Sequence, residues 1–151
     1  MERSFEQRVR EEFAEFIADG RLRVVDAQYD PQAFGNASVT MAGGGVLVRL
    51  VTDRGDIYGD IARESQPDQW YPLQHGIAAI RGGDPSEGPF SVQGFSAEIR
   101  QYWPKLEHAF GPGWDSTKRE LERALEVSNA RFLEEAKKIT ARGRRRRRDR
   151  K

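Results

Sequence analysis

The chain of 151 residues has no cysteine, which excludes disulfides, thiol nucleophiles and Cys-ligated zinc. Histidine is almost as scarce. His75 and His108 are the only two, and neither stands in an HExxH or HxxxH pair, so a histidine-based metal site is not expected. No apolar run approaches the ~18 residues of a membrane-crossing helix. The opening Met1-Glu2-Arg3-Ser4 lacks the apolar stretch of a signal peptide. Without cysteine or an export signal, the sequence points to the cytoplasm. Glycine-rich phosphate chemistry is missing too. Gly43-Gly44-Gly45 is followed by Val46 and Leu47, with neither the Lys nor the Ser/Thr of a phosphate loop. No serine sits in a G-x-S-x-G elbow.

What is present is enough for a core. Hydrophobic residues make up 37% of the chain, and three tryptophans, four tyrosines and eight phenylalanines are spread along it. A domain of this length can bury about two-thirds of its unfolded surface, so wholesale disorder is excluded. The net charge of +1 conceals a segregation. Residues 137–151 carry ten basic groups against Asp149 alone, a net of +9, whereas the other 136 residues carry 15 basic and 23 acidic groups, a net of −8. An acidic body repels nucleic acid and attracts basic partners, and a basic tail does the opposite.

Hydrophobic periodicity predicts an α+β fold: an N-terminal helix, an antiparallel meander of three or four strands, and a helical C-terminal half. Phe5, Val9, Phe13, Phe16 and Ile17 share one face of a helix from Glu2 to Asp19, closed by Gly20. Strands follow over Arg21–Ala27, Ala37–Ala42, Val46–Asp53 and Asp56–Ala62, with turns at Phe34-Gly35-Asn36, Gly43-Gly44-Gly45 and Arg54-Gly55. From Arg63 the strands are expected to stop, with a loop at Ser65–Asp68 and a short helix over Leu73–Arg81. Phe95, Ile99, Tyr102, Trp103, Leu106 and Phe110 predict a further helix that Pro104 should kink or divide. Thr117 with Glu120 has the spacing of a capping box for a last helix running to about Ala141, with Leu121, Ala124, Leu125, Ser128, Phe132, Ala136 and Ile139 in one stripe. Gly143 should end it. The expected organisation is one α+β domain over residues 1–142 and a basic, disordered tail over 143–151.

Side chains that could carry function are few. His108 lies opposite its helix's apolar stripe and should be exposed, and His75 reads as a surface or boundary residue more readily than as a general base. Asp53, Asp56 and Asp60 cluster around the second hairpin, with Asp26 and Asp30 on the preceding strand. Turn formation, a partner-binding acidic patch and a Mg²⁺ or hydrolytic site are the three roles such carboxylates can take. The arginines Arg144, Arg145, Arg146, Arg147, Arg148 and Arg150 can pair with phosphates. No RNA-recognition signature or zinc-finger spacing accompanies them, so only weak, non-specific nucleic-acid affinity is expected of them.

Tyr29-Asp30, Phe34-Gly35-Asn36, Val39, Asp53-Arg54-Gly55, Asp60-Ile61 and Trp70-Tyr71-Pro72-Leu73 together resemble a group of small bacterial proteins with a fold like that of immunity proteins from polymorphic toxin systems. The resemblance spans roughly residues 5 to 80. Its most distinctive part is the Phe-Gly-Asn turn followed, after a strand, by Asp-Arg-Gly. It does not extend to Gly43-Gly44-Gly45, the helical C-terminal half or the arginine tail. Physically, Gly35 and Asn36 suit turns, Arg54 can pair with Asp53 or Asp60, and Trp70 can cover the sheet edge. The resemblance implies a non-enzymatic binding protein, immunity- or antitoxin-like, and the −8 body charge with the cluster Asp26, Asp30, Asp53, Asp56 and Asp60 makes those carboxylates the surface expected to block a protein partner such as a basic toxin. No catalytic residue, metal, cofactor or membrane contact is expected. The alternatives are a nucleic-acid-associated accessory protein using the arginine tail and a carboxylate-dependent hydrolase.

Overall fold

The computed structural model describes residues 3–150; Glu2, the expected first residue of the opening helix, and Lys151 lie outside the described residues. Ser4 caps helix α1 (Phe5–Glu12): its hydroxyl accepts from the Gln7 amide while the Gln7 side chain accepts from the Ser4 amide. Phe13 leaves the helical conformation and separates α1 from α2 (Ala14–Ala18), so the single expected helix is two short ones. Phe5, Val9, Phe13 and Phe16 are buried all the same.

Five antiparallel strands follow in simple order: β1 (Arg23–Asp30), β2 (Asn36–Gly43), β3 (Val46–Asp53), β4 (Asp56–Arg63) and β5 (Gln66–Pro72). The α+β reading holds, with one strand more than the three or four expected. β5 is the missed one. Its Gln66-Pro67-Asp68-Gln69 start is polar and exposed, and a proline is tolerated only because β5 is an edge strand. Pairing of Tyr71 with Ile61 and Pro72 with Asp60 holds it in place. Gly43 belongs to β2 and pairs with Val46, so the β2–β3 turn is only Gly44-Gly45, both at positive φ. A Cβ on Gly43 would lie 1.7 Å from the Arg21 carbonyl oxygen, so glycine is required for the close approach of the α2–β1 connection.

One face of the sheet forms the core. Val39, Met41, Val48, Leu50 and Ile61 on that face pack against Phe13, Phe16 and the helices α3 (Leu73–Arg81) and α4 (Val92–Ala109). α4 runs unbroken through Pro104. The proline forfeits one backbone hydrogen bond, but Trp103 and Leu106 on either side are buried and hold the helix together. α5 (Trp114–Arg148) starts earlier than expected and without a capping box. Gly113 occupies its N-cap, and the Thr117 hydroxyl donates back to the Gly113 carbonyl instead of capping. Trp114 anchors this start, packing on Phe110 and Tyr71 at 5.4 and 5.9 Å between ring centroids.

α5 also runs on through Gly143 to Arg148, past the expected stop. A glycine in an exposed helix interior costs only about 1 kcal/mol, and the arginines around it are good helix formers. Residues 144–148, expected to be disordered, are helical here.

Candidate protein-binding site

The strand register sorts the five candidate aspartates. Asp26, Thr40, Arg49 and Asp60 form one row across the face of the sheet away from the core. Arg49 donates to Asp60 from both Nε and a terminal nitrogen, at 3.2 and 3.0 Å, and the Trp70 ring lies 4.1 Å from its guanidinium carbon. Trp70 also packs over Ala42, Leu47 and Ala62 on that face. Asp60 is therefore ion-paired within the sheet. Local spacing does not single out Arg49, because its partner is set by cross-strand register.

Asp30 pairs with Asn36 and Asp53 with Asp56, both at the end of the sheet where the β1–β2 and β3–β4 turns lie. Asp30 caps its own turn, accepting from the Gln32 and Ala33 amides. Asp53 and Asp56 face each other as the last pair of their hairpin and are exposed. Among the described residues, Asp26, Asp30, Asp53 and Asp56 have no ion-pair partner.

The two turns interlock. The Asn36 side chain accepts from the Arg54 amide at 3.1 Å, and the Arg54 guanidinium stacks on the Phe34 ring at 5.0 Å. Arg54 thus pairs with neither Asp53 nor Asp60, contrary to expectation. Its backbone is left-handed (φ 53°), and that of Phe34 is too (φ 58°). Non-glycine residues in that conformation are uncommon, and their strain concentrates at binding sites. Phe34 is 76% exposed and Tyr29 is 70% exposed. Both line a groove of about 710 Å³ that runs to Phe5 and Arg8 on α1. The turn pair thus carries the exposed Asp53 and Asp56 together with two aromatic rings that water reaches, and the groove below the rings is lined by Arg3, Glu6 and Arg8.

The histidines behave differently from each other. His108 is exposed as expected, whereas His75 is buried, contrary to the surface or boundary position expected. The His75 Nε2 lies 2.9 Å from the Ser128 hydroxyl, which ties α3 to α5. Burial lowers the His75 pKa from its ordinary value. No carboxylate among the described residues forms an ion pair with His75 to orient its ring, so the pair lacks the third member of a hydrolytic triad. Glu98 is the other perturbed group, raised by burial and partly held down by Arg81. Among the described residues, no three His, Asp or Glu side chains come together in a way that could hold a metal ion.

The arginines Arg144 to Arg148 occupy the last turns of α5, and all five are exposed, as is Arg150 beyond them. The helix is held to the domain only as far as Arg131, which donates to the Pro85 carbonyl at 2.8 Å and pairs with Asp84 and Glu87. From Phe132 to Arg148 every residue is exposed. No described helix is long and apolar enough to cross a membrane. Compared with protein-family models, with curated proteins and with solved structures, the chain matches none.

Proposed function

We propose that this chain is a non-enzymatic, cytoplasmic binding protein of the immunity or antitoxin kind, which captures a basic protein partner at the paired turns of its sheet. One observation carries the reading. The Phe34-Gly35-Asn36 and Asp53-Arg54-Gly55 turns lock together through Asn36 and Arg54 and leave Phe34, Asp53 and Asp56 exposed. Exposed aromatics on a rigid frame make strong interface anchors, because little side-chain entropy is lost on binding. The unpaired Asp30, Asp53 and Asp56 add a negative field that speeds encounter with a basic surface, such as that of a nuclease toxin. Asp60 adds less to that field, because Arg49 pairs with it.

The test is affinity capture from the native host followed by kinetics with the captured protein. The variant Asp53→Lys/Asp56→Lys should slow association at low salt by about tenfold or more, and Phe34→Ala should speed dissociation. A partner that binds both variants with parental kinetics would refute this surface. The second reading, nucleic-acid binding, is favoured by the exposure of Arg144 to Arg148 at the end of α5. It requires binding that falls steeply with salt and vanishes when residues 143–151 are deleted.

A further inference from the structure

From Leu125 onward α5 carries an apolar stripe that nothing among the described residues covers. Leu125, Phe132, Leu133 and Ile139 are all exposed there, Phe132 at 73%. The stripe has a heptad form. Large residues recur at one core position, Leu125, Phe132 and Ile139, and small ones at the other, Asn129, Ala136 and Gly143. Charge is segregated along the same helix. Trp114–Glu135 has a net charge of −2, whereas Ala136–Arg148 holds eight basic residues and no acid.

We infer that this stripe is a homodimer interface, in which α5 of a second copy packs antiparallel. Two independent features select that occupant and that direction. The first is size. An antiparallel register centred on Glu134 sets Phe132 against Ala136 of the second copy, Leu125 against Gly143 and Ile139 against Asn129, so every large side chain meets a small one. The second is charge. A parallel pair would lay one set of eight basic residues beside the other. The antiparallel pair lays each basic end along the acid-bearing half of the other copy and places Glu122 opposite Arg146. Glu135 approaches its own copy near the axis, where the Lys138 ammonium, 3.5 Å from its carboxylate, offsets the repulsion. The overlap from Glu120 to Arg148 covers about four heptads, enough to sustain a coiled coil. Glu122, Leu125 and Asn129 are exposed in the single chain, so the stripe is open to a second helix even where α5 still lies along the domain.

Sedimentation equilibrium of the full chain should give a reversible dimer, twice the 17.2 kDa of one chain. Phe132→Glu/Ile139→Glu should return it to monomer with an unchanged circular dichroism spectrum, because both side chains are exposed in the single chain. The absence of native cysteine permits a test of direction. In the antiparallel register two Gly143 positions sit about 27 Å apart, at 1.5 Å per residue. Oxidation of Gly143→Cys alone should therefore leave no crosslinked dimer, and a mixture of Gly143→Cys with Leu125→Cys chains should give one. A chain that is monomeric at all concentrations would overturn the inference. So would a dimer that survives the double glutamate variant, association that appears only with nucleic acid, or efficient crosslinking of Gly143→Cys by itself.

Discussion

The two halves of α5 have the same amphipathic period and opposite surroundings. Thr117, Leu121 and Ala124 in the proximal half are buried against the domain, whereas Phe132, Leu133 and Ile139 in the distal half face solvent. The difference is one of reach. α3 is only nine residues long, and the 82–88 loop, held by Arg123 and Arg131, is the last part of the domain beside α5. Past that point a helix rising 1.5 Å per residue simply leaves the domain behind. Periodicity states that a face is apolar; only the length of the neighbouring elements decides whether it is covered.

Substitutions in the two halves should separate these regimes, measured by urea denaturation at concentrations where the chain is monomeric. Leu121→Ala removes a buried side chain and is expected to cost about 2–5 kcal/mol. Phe132→Ala, a larger truncation, is expected to stay within about 0.5 kcal/mol because nothing packs on it. Equal costs would mean that the distal half folds back onto the domain.

The next largest effect lies at the tether between α5 and α3. Ser128→Ala leaves the buried His75 Nε2 without its partner and is expected to cost about 1–3 kcal/mol. The same site predicts a pH dependence. Burial lowers the pKa of His75 in the folded chain, so the unfolded chain takes up the proton first. Its contribution leaves stability unchanged above the ordinary value of 6.5 and reduces it as pH falls through and below that value, until the folded form is protonated as well. Comparison with His75→Gln isolates this component; a parental profile retained by that variant would assign the slope to other groups.

Smaller effects belong to the distal half. Gly143→Ala should slow amide exchange around Ala141–Arg145 by about fivefold, the local equivalent of ~1 kcal/mol of helix propensity, while the global unfolding midpoint stays in place. Deletion of residues 143–151 should change the stability of the monomer by a few tenths of a kcal/mol at most. A drop of several degrees in Tm would instead mean that the arginines dock on the acidic body.

Much of the candidate site was legible in the sequence, but only as separate pieces. Asp53-Arg54-Gly55 and Phe34-Gly35-Asn36 each carry local turn chemistry, and both turns form where that chemistry placed them. Their interlocking was not legible, because the bond from the Arg54 amide to Asn36 spans 18 residues of chain and exists only once β2 and β3 are in register. The same register weakens the part of Asp60 in the acidic set by delivering Arg49 to it. His75 lies in a helix that is legible locally, but its burial depends on α5 arriving from 53 residues away.

What the sequence by itself determined was every element whose pattern is local: the alternating Val46–Asp53 strand, the Leu73–Arg81 helix, the stripe of α4, the turns between strands, and the charge segregation between body and tail. Tertiary structure alone decided the rest. β5 is a strand because β4 offers it an unpaired edge, α4 remains whole through Pro104 because the core grips both sides, and the apolar face of α5 is covered only as far as the domain extends beside it. Short-range preferences are worth about 1 kcal/mol or less per residue, and a single buried side chain or sheet register outweighs several of them.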